Sequence, residues 1–96
     1  KVYEDDTVLA FHDIAPQAKT HVLVIPKAHI ASCANDVNAE NCEAIGYLFS
    51  KIPEIASLAG VDSYRIINNC GEKAGQTVMH IHFHILSGDN LSEKMV

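Results

Sequence analysis

The sequence has 96 residues, enough for one compact domain but not for two. Its formal net charge is −5 at pH 7, and its lysine and arginine residues are scattered along the chain. This argues against a nucleic-acid partner, because a phosphate backbone is bound by clustered positive charge. The chain contains no apolar run of about eighteen residues and no signal-peptide pattern, so we expect no membrane partner.

The first part of the chain predicts three short strands. Residues 2–3 and 7–11 are strand-like and are joined by a turn at residues 4–6. Residues 21–25 are β-branched and apolar, which indicates a buried strand, and Pro26 ends it.

A helix is predicted in the middle of the chain, where apolar residues recur at spacings of three and four. We expect Asn38 to cap its start and Gly60 to end it. Pro53 should kink or split this helix, because proline lacks an amide donor and crowds the preceding turn. The predicted apolar stripe comprises Cys42, Ile45, Leu48, Phe49, Ile52, Ile55, Ala56 and Ala59.

Two further strands follow, at residues 63–68 and 80–86, with a loop containing Gly71 and Gly75 between them. The element order is therefore β-β-β-α-β-β. The short early connections favour an antiparallel sheet, and the single helix must cover one of its faces. The predicted class is α+β, with a five-stranded antiparallel sheet and one main helix packed on it.

The cysteine content predicts reduced thiols. Cys33, Cys42 and Cys70 are odd in number and lack C-x-x-C spacing, so they form neither a disulfide framework nor a zinc knuckle. We expect three free thiols in a cytoplasmic protein.

The last predicted strand carries three histidines, His80, His82 and His84, at two-residue spacing. Because successive side chains of a strand point to opposite faces, the three imidazoles should form one row, about 7 Å apart. The large apolar residues that alternate with them should face the core. Ile81 and Phe83 lie between the histidines, and Met79 and Ile85 flank them.

Three interpretations of this row stay open from the row alone. Two histidines at this spacing can chelate zinc, but three in line span about 13 Å, too far for one ion unless the strand bends sharply. A single buried histidine is usually a hydrogen-bonded core residue, although three on one face argue against that role. Neutral imidazole is also a good nucleophile near neutral pH, and it can donate hydrogen bonds to phosphate oxygens.

The loop before the row favours phosphate chemistry. Residues 69–77 supply glycines, a side-chain amide and a hydroxyl. Two glycines alone are ordinary turn residues, but glycines also let backbone N–H groups approach an oxyanion closely. Beside three histidines, they indicate a phosphate-binding loop.

In three places the chain resembles the histidine triad (HIT) family, most closely its small nucleotide-binding branch. Residues 80–86 match the signature His-φ-His-φ-His-φ-φ, and residues 11–30 and 74–78 resemble the family's other hallmark stretches. The resemblance implies one HIT domain over residues 1–96. It also implies a homodimer whose sheet continues across the two-fold axis. Since the chain starts at Lys1 without a methionine, we expect a truncated or trimmed N-terminus.

The resemblance implies a role for each active-site histidine. His82 is the nucleophile, which attacks the α-phosphate to give a nucleotidyl-histidine intermediate that water then hydrolyses. The backbone carbonyl of His80 accepts the Nδ1 proton of His82 and leaves Nε2 free to attack. His84 contacts the phosphate, and His21 is the fourth active-site histidine.

The resemblance also implies the substrate contacts. Asp13 would hold the ribose hydroxyls, while Phe11, Ile14 and Leu23 would line the base pocket. Taken alone, each of those three apolar side chains is equally consistent with ordinary core. The implied substrate-binding residues of the loop are Asn69, Gly75, Gln76 and Thr77.

No cofactor is required in the family, although some members carry a structural zinc ion held by an N-terminal C-x-x-C and two histidines. Here His29 and His80 resemble the histidine half of that site, a partial zinc site. The cysteine half would precede Lys1, so zinc binding depends on a C-x-x-C in the full chain. Residues 87–91 depart from the Gly-Gly-Arg-like run of eukaryotic relatives, and substrate preference is therefore not carried over.

The predicted function is hydrolysis of a purine nucleotide derivative at its α-phosphate, most specifically a phosphoramidase that releases AMP or GMP. A dinucleoside polyphosphate hydrolase shares the same triad and is the alternative enzyme. The non-enzymatic alternatives are a nucleotide-binding scaffold with vestigial activity and a metal carrier.

Overall fold

The computed structural model describes residues 1–88 and Leu91. Residues 89–90 of the divergent C-terminal run lie outside the described residues, as do residues 92–96. The elements are β1 (Tyr3–Glu4), β2 (Val8–His12), β3 (Thr20–Pro26), α1 (Cys42–Leu58), β4 (Arg65–Ile67) and β5 (Phe83–Ser87), with short 3₁₀ turns at Ala34–Asp36 and Glu72–Ala74.

The five strands form a single antiparallel sheet in the order β1-β2-β3-β5-β4, which confirms the predicted α+β fold. One face packs against α1, whose buried residues include Leu48 and Ile55. Phe49 extends this contact, because its ring meets the ring of Phe83 edge-on at 5.0 Å. The buried strand residues on the helix-covered face are Val8, Ala10, Val22, Val24, Phe83 and Ile85.

Helix α1 follows the predicted apolar periodicity, except that Cys42 of the predicted stripe is exposed because it lies in the first turn of the helix. Two other features of the helix also differ from the prediction. Its N-cap position is Asn41, because Asn38 instead holds the preceding turn by accepting the Glu40 N–H at 2.8 Å. The helix also continues through Pro53, so the predicted split is wrong. Pro53 is exposed and removes only one donor, while buried Ile52 on one side and Ile55 on the other anchor the helix to the sheet. Within the described residues, no helix has the length and apolar character needed to cross a membrane.

The end of α1 agrees with the glycine prediction. Gly60 has a φ of +80°, in the left-handed region that glycine adopts without a Cβ penalty. Its N–H donates to the Ser57 carbonyl at 3.0 Å, and the Val61 N–H donates to the Ala56 carbonyl at 3.0 Å. These paired bonds satisfy the last helical carbonyls and turn the chain toward β4.

The histidine strand is shorter than predicted. It begins at Phe83, so His80 and His82 precede the sheet and only His84 of the row lies within it. Ile81 is buried as expected, but Met79 is 48% exposed, so the expectation that Met79 faces the core is wrong. The strand begins late because the backbone before Phe83 is hydrogen-bonded outside the sheet. The Ile81 N–H bonds a loop carbonyl, and the His82 carbonyl bonds a side chain.

Candidate active site

The face of the sheet opposite α1 carries most of the predicted site. In the strand register Phe11 lies opposite Leu23, and Leu23 lies opposite His84, so the three side chains cross adjacent strands on one face. His21 stands diagonally from His84 on the same face, because it pairs with Leu86. Residues far apart in the chain are therefore brought together by the antiparallel register.

His82 holds one defined tautomer. Its Nδ1 lies 2.8 Å from the backbone carbonyl oxygen of His80. A carbonyl only accepts, so Nδ1 carries the proton and donates it to this bond. The unprotonated Nε2 then presents its lone pair, which is the arrangement needed for nucleophilic attack.

His21 and His84 form a second oriented pair. The backbone N–H of Gln17 donates to His21 Nδ1 at 3.0 Å, which places the proton of neutral His21 on Nε2. That Nε2 lies 2.7 Å from His84 Nδ1 and donates to it. In neutral His84 the proton is consequently on Nε2. Among the described residues this buried Nε2 has no hydrogen-bond partner, so it is a donor available to a ligand.

The surroundings of His84 keep it neutral. Burial lowers its pKa below the ordinary value, and the nearby imidazoles of His82 and His21 lower it further, against the opposing effect of the Asp13 carboxylate. The His82 ring meets the His84 ring at 5.1 Å between centroids. A neutral His84 can donate from Nε2 without adding a positive charge beside the His82 lone pair.

His80 uses its side chain for contacts that hold the structure around the site. Its Nε2 lies 2.7 Å from the carbonyl oxygen of Pro26 and donates to it, and its ring stacks on exposed His29 at 5.2 Å. The two residues of the predicted partial zinc site are thus neighbours. However, the Pro26 carbonyl occupies one nitrogen of His80, and two imidazoles fall short of the four ligands of a structural zinc site. The described residues do not by themselves fit that ion.

A cavity of about 340 Å³ lies beside His82. Of the predicted base-pocket residues, Phe11 and Leu23 line it, whereas Ile14 is fully exposed and is not one of its lining residues. Ile25 and Val78 also line the cavity and were not identified from the sequence. Ile25 could have been found, because it follows Leu23 by two residues on β3 and shares its face.

Asp13 lies beside the His21–His84 pair. One carboxylate oxygen accepts the Ala15 N–H at 2.8 Å, which fixes the turn after β2, and the other lies 3.5 Å from His21 Nε2. Asp13, His21 and His84 together have potential metal-ligand atoms within 4.8 Å of one another. His21 Nε2 and His84 Nδ1 already share a hydrogen bond of 2.7 Å, so a metal bound to these two nitrogens would have to break it.

The predicted phosphate-binding loop has two different parts. Asn69 lines a smaller cavity of about 210 Å³ together with His21 and His84, and Gly75 lies close to the Asn69 amide. Gly75 has a φ of +92°, which requires glycine or strain at this position. Thr77 is exposed and contributes to neither cavity described here.

Gln76 differs from the other loop residues because it is buried. Its side-chain carbonyl accepts the Gly71 N–H at 2.8 Å, and its amide donates to the carbonyls of Ser32 at 2.6 Å and Val78 at 3.1 Å. These contacts use the polar atoms of the side chain inside the protein. In this structure Gln76 fixes the shape of the loop rather than facing a cavity.

The three cysteines are free thiols, as expected. The hydrogen bond with Cys70 raises the pKa of the Cys33 thiol, and the burial of Cys33 raises it further. A raised pKa keeps the thiol protonated, which is the opposite of what a nucleophilic cysteine requires.

Comparison with known proteins assigns the family. The HIT domain model matches residues 1–91. The chain belongs to the HIT, or histidine triad, family. It is 47% identical over 89 residues to the purine nucleoside phosphoramidase of Escherichia coli K12, covering 91% of this chain and 74% of that protein. It is also 47% identical over 92 residues to an uncharacterised HIT-like protein of Rickettsia prowazekii, covering 94% of this chain and 77% of that protein.

Solved structures agree with this assignment. A HIT family hydrolase from Clostridium thermocellum superimposes with a TM-score of 0.90 at 40% identity, covering 98% of this chain and 83% of that one. The HIT protein described here therefore shares its fold with a known hydrolase over nearly its whole described length.

The lowered pKa of His84 predicts a specific pH dependence of stability. The unfolded chain binds a proton at this imidazole near the ordinary pKa of about 6.5, whereas the folded chain binds it only at lower pH. The free energy of unfolding should therefore fall as the pH drops below about 6.5. We expect His84→Gln to reduce this fall between pH 7 and pH 5, as measured by urea unfolding.

His12→Gln is the matched control, because His12 is an exposed histidine on strand β2, which is separated from β5 by β3. If both substitutions changed the pH dependence equally, His84 would not be its source.

Proposed function

We propose that this HIT protein hydrolyses nucleotides at the α-phosphate through a covalent intermediate on His82, and that its preferred substrates are purine nucleoside phosphoramidates. The observation that carries the proposal is the His82 Nδ1–H bond to the His80 carbonyl, which leaves Nε2 free beside a cavity of about 340 Å³. Similarity to the E. coli purine nucleoside phosphoramidase supports the substrate class.

In the first step, His82 Nε2 attacks phosphorus and forms a P–N bond. The bond from phosphorus to the leaving amine breaks, and the amine departs with that electron pair and takes up a proton from solvent. The ring of His82, now substituted on both nitrogens, carries a positive charge. The His80 carbonyl stabilises this charge through the Nδ1–H bond of 2.8 Å.

In the second step, water attacks phosphorus from the side opposite His82. The P–Nε2 bond breaks, the nucleoside monophosphate is released, and the water proton passes to solvent. The net reaction consumes one water molecule and yields one amine and one AMP or GMP. His82 returns to its starting tautomer, because the His80 carbonyl still holds the Nδ1 proton.

Charge on the phosphoryl oxygens needs donors that are already in position. His84 Nε2–H is such a donor, since it is buried and uncommitted. Asn69 lies in the same cavity as His84, next to Gly75, and its amide would supply a second donor. Imidazole and amide donors carry the proposed chemistry, so we expect no requirement for a divalent cation.

The cavity beside His82 supports recognition of a nucleobase. Four of its six lining residues, Phe11, Leu23, Ile25 and Val78, are apolar, and its volume is in the range of small-ligand sites. A flat base would pack against these side chains while its phosphate reached His82. The ribose hydroxyls would then donate hydrogen bonds to the Asp13 carboxylate, as the family resemblance implies.

The deciding assay compares two substrates in the presence of EDTA. With adenosine phosphoramidate and a dinucleoside polyphosphate at equal concentration, we expect faster AMP release from the phosphoramidate, measured by chromatography. Faster cleavage of the dinucleotide would favour the alternative hydrolase. Absence of turnover for both would favour a nucleotide-binding scaffold.

His82→Ala should reduce kcat by about a thousand-fold or more, because it removes the nucleophile. Nucleotide binding by calorimetry should persist. Acid-free quenching of the wild-type reaction should reveal a protein mass increased by one nucleotidyl group, and this adduct should disappear in the variant. His12→Ala, at an exposed position, controls for the loss of an imidazole. Retained turnover in His82→Ala would refute the assignment.

We also propose that the chain forms a homodimer in which two β4 strands meet at the two-fold axis. Among the described strands, β4 is at the edge of the sheet with β5 as its neighbour, and an edge strand is a place where a second chain can add its own strand. An apolar side chain on this edge strand supports the proposal, since Ile66 is 39% exposed.

Sedimentation analysis tests this assembly. We expect a mass of twice the 10.5 kDa of one chain, and a single-chain mass for Ile66→Lys, which places a charge in the proposed contact. Leu58→Lys, at the exposed end of α1, is the control and should remain dimeric. A single-chain mass for the wild-type protein would contradict the proposal.

A further inference from the structure

The residues just before β5 are held by contacts outside the strand ladder. Strand β5 begins at Phe83, yet the backbone of residues 80–82 must be fixed for His82 to keep its orientation. The Ile81 N–H donates to the Ala31 carbonyl at 2.9 Å, which holds one point of this segment. The carbonyl of His82 itself requires a different partner.

That partner is the side chain of Asn68. Its Nδ2 donates to the His82 carbonyl at 2.9 Å, and its Oδ1 accepts the Ala34 N–H at 2.9 Å. Asn68 follows Ile67, the last residue of β4 that is paired with β5. The side-chain amide therefore provides a bond to the neighbouring chain at the point where the backbone ladder stops.

We propose that Asn68 is a positioning residue for His82, an inference that rests on the proposed role of His82 as the nucleophile. The Nδ2 bond fixes the His82 carbonyl, and the His82 ring bond fixes Nδ1 to the His80 carbonyl at 2.8 Å. The backbone and the ring of the same residue are thus held by separate bonds. Together they set the direction in which the Nε2 lone pair points.

The chemistry of the asparagine side chain suits this task. It has a donor and an acceptor in one plane, so one residue can bond the His82 carbonyl and the Ala34 N–H at once. Aspartate has nearly the same shape but lacks the donor, and its charge would repel the His82 carbonyl. Asn68 is also distinct from Asn69, which lines the cavity with His84.

A second asparagine provides a matched control. Asn41 also joins separate parts of the backbone, since its Nδ2 donates to the carbonyls of Ile30 at 3.2 Å and Asp36 at 3.0 Å. It is buried and holds the same connection between β3 and α1 that Asn68 contacts through Ala34. Within the part of the chain that the structure describes, its side chain forms hydrogen bonds with Asn38, Ile30 and Asp36 and none with the histidine segment. If Asn68 acted only by holding that connection, loss of the Asn41 amide would have the same effect.

The experiment compares Asn68→Asp, Asn68→Ser and Asn41→Asp with the wild-type protein. For the two Asn68 variants we expect kcat for the phosphoramidate to fall about ten- to a hundred-fold, because small misplacements of reacting groups have effects of this size. KM should change by less than about two-fold, since the binding cavity is unaltered. Asn41→Asp should retain wild-type kcat at a temperature where it is folded.

A second measurement follows the tautomer and surroundings of the His82 ring directly. Correlation of ring nitrogens with ring protons by NMR should show a single Nδ1–H tautomer for His82 in the wild-type protein. In both Asn68 variants this signal should broaden or shift, while the signals of His21 and His84 stay in place. Because this readout needs no turnover, it decides the role of Asn68 even if the phosphoramidate is not cleaved.

Three results would overturn the proposal. They are an unchanged His82 signal in the Asn68 variants, an unchanged kcat in an active enzyme, and an equal loss of kcat in Asn41→Asp. Absence of wild-type turnover together with a changed His82 signal would refute the proposed function and support the positioning role.

Discussion

The site depends on the hydrogen bond from His82 Nδ1 to the carbonyl of His80. A histidine that bonds a carbonyl only two residues earlier is held by its own segment, so its tautomer is set locally. The segment must then be held in place by other means, because it precedes β5. Ala31 and Pro26 supply acceptors for residues 81 and 80, and the Asn68 amide bonds residue 82. His82 is thus oriented by bonds that converge from three parts of the chain.

The second constraint is the direction of donation through His21 and His84. It begins at the backbone N–H of Gln17, which can only donate. Each imidazole then accepts a hydrogen bond at Nδ1 and carries its own proton on Nε2. The last donor is His84 Nε2, inside the protein. Burial keeps His84 neutral, and neutrality makes the direction unambiguous, since a doubly protonated imidazole would give His21 no acceptor.

Sequence periodicity predicts most of the fold but only part of the site. The helix stripe and the five strands follow from apolar spacing, because burial on one face imposes that spacing. The start of β5 does not follow, since the bonds that hold residues 80–82 come from Pro26, Ala31 and Asn68, all distant in sequence. The exposure of Ile14 and the burial of Gln76 could not be predicted from the sequence either. Both depend on how loops pack, and the alternation of apolar and polar residues along the chain does not predict loop packing.

The division of the sheet into two faces separates stability from chemistry. The apolar contacts with α1 lie on one face, where each large buried side chain contributes about 1.5–3 kcal/mol. On the other face, the histidine segment is held by individual hydrogen bonds of about 1 kcal/mol each. Loss of one such bond should leave the fold largely stable and yet release the orientation of His82. Substitutions in the segment's supports are therefore expected to separate catalytic rate from stability, whereas substitutions in the helix-covered core would change stability first.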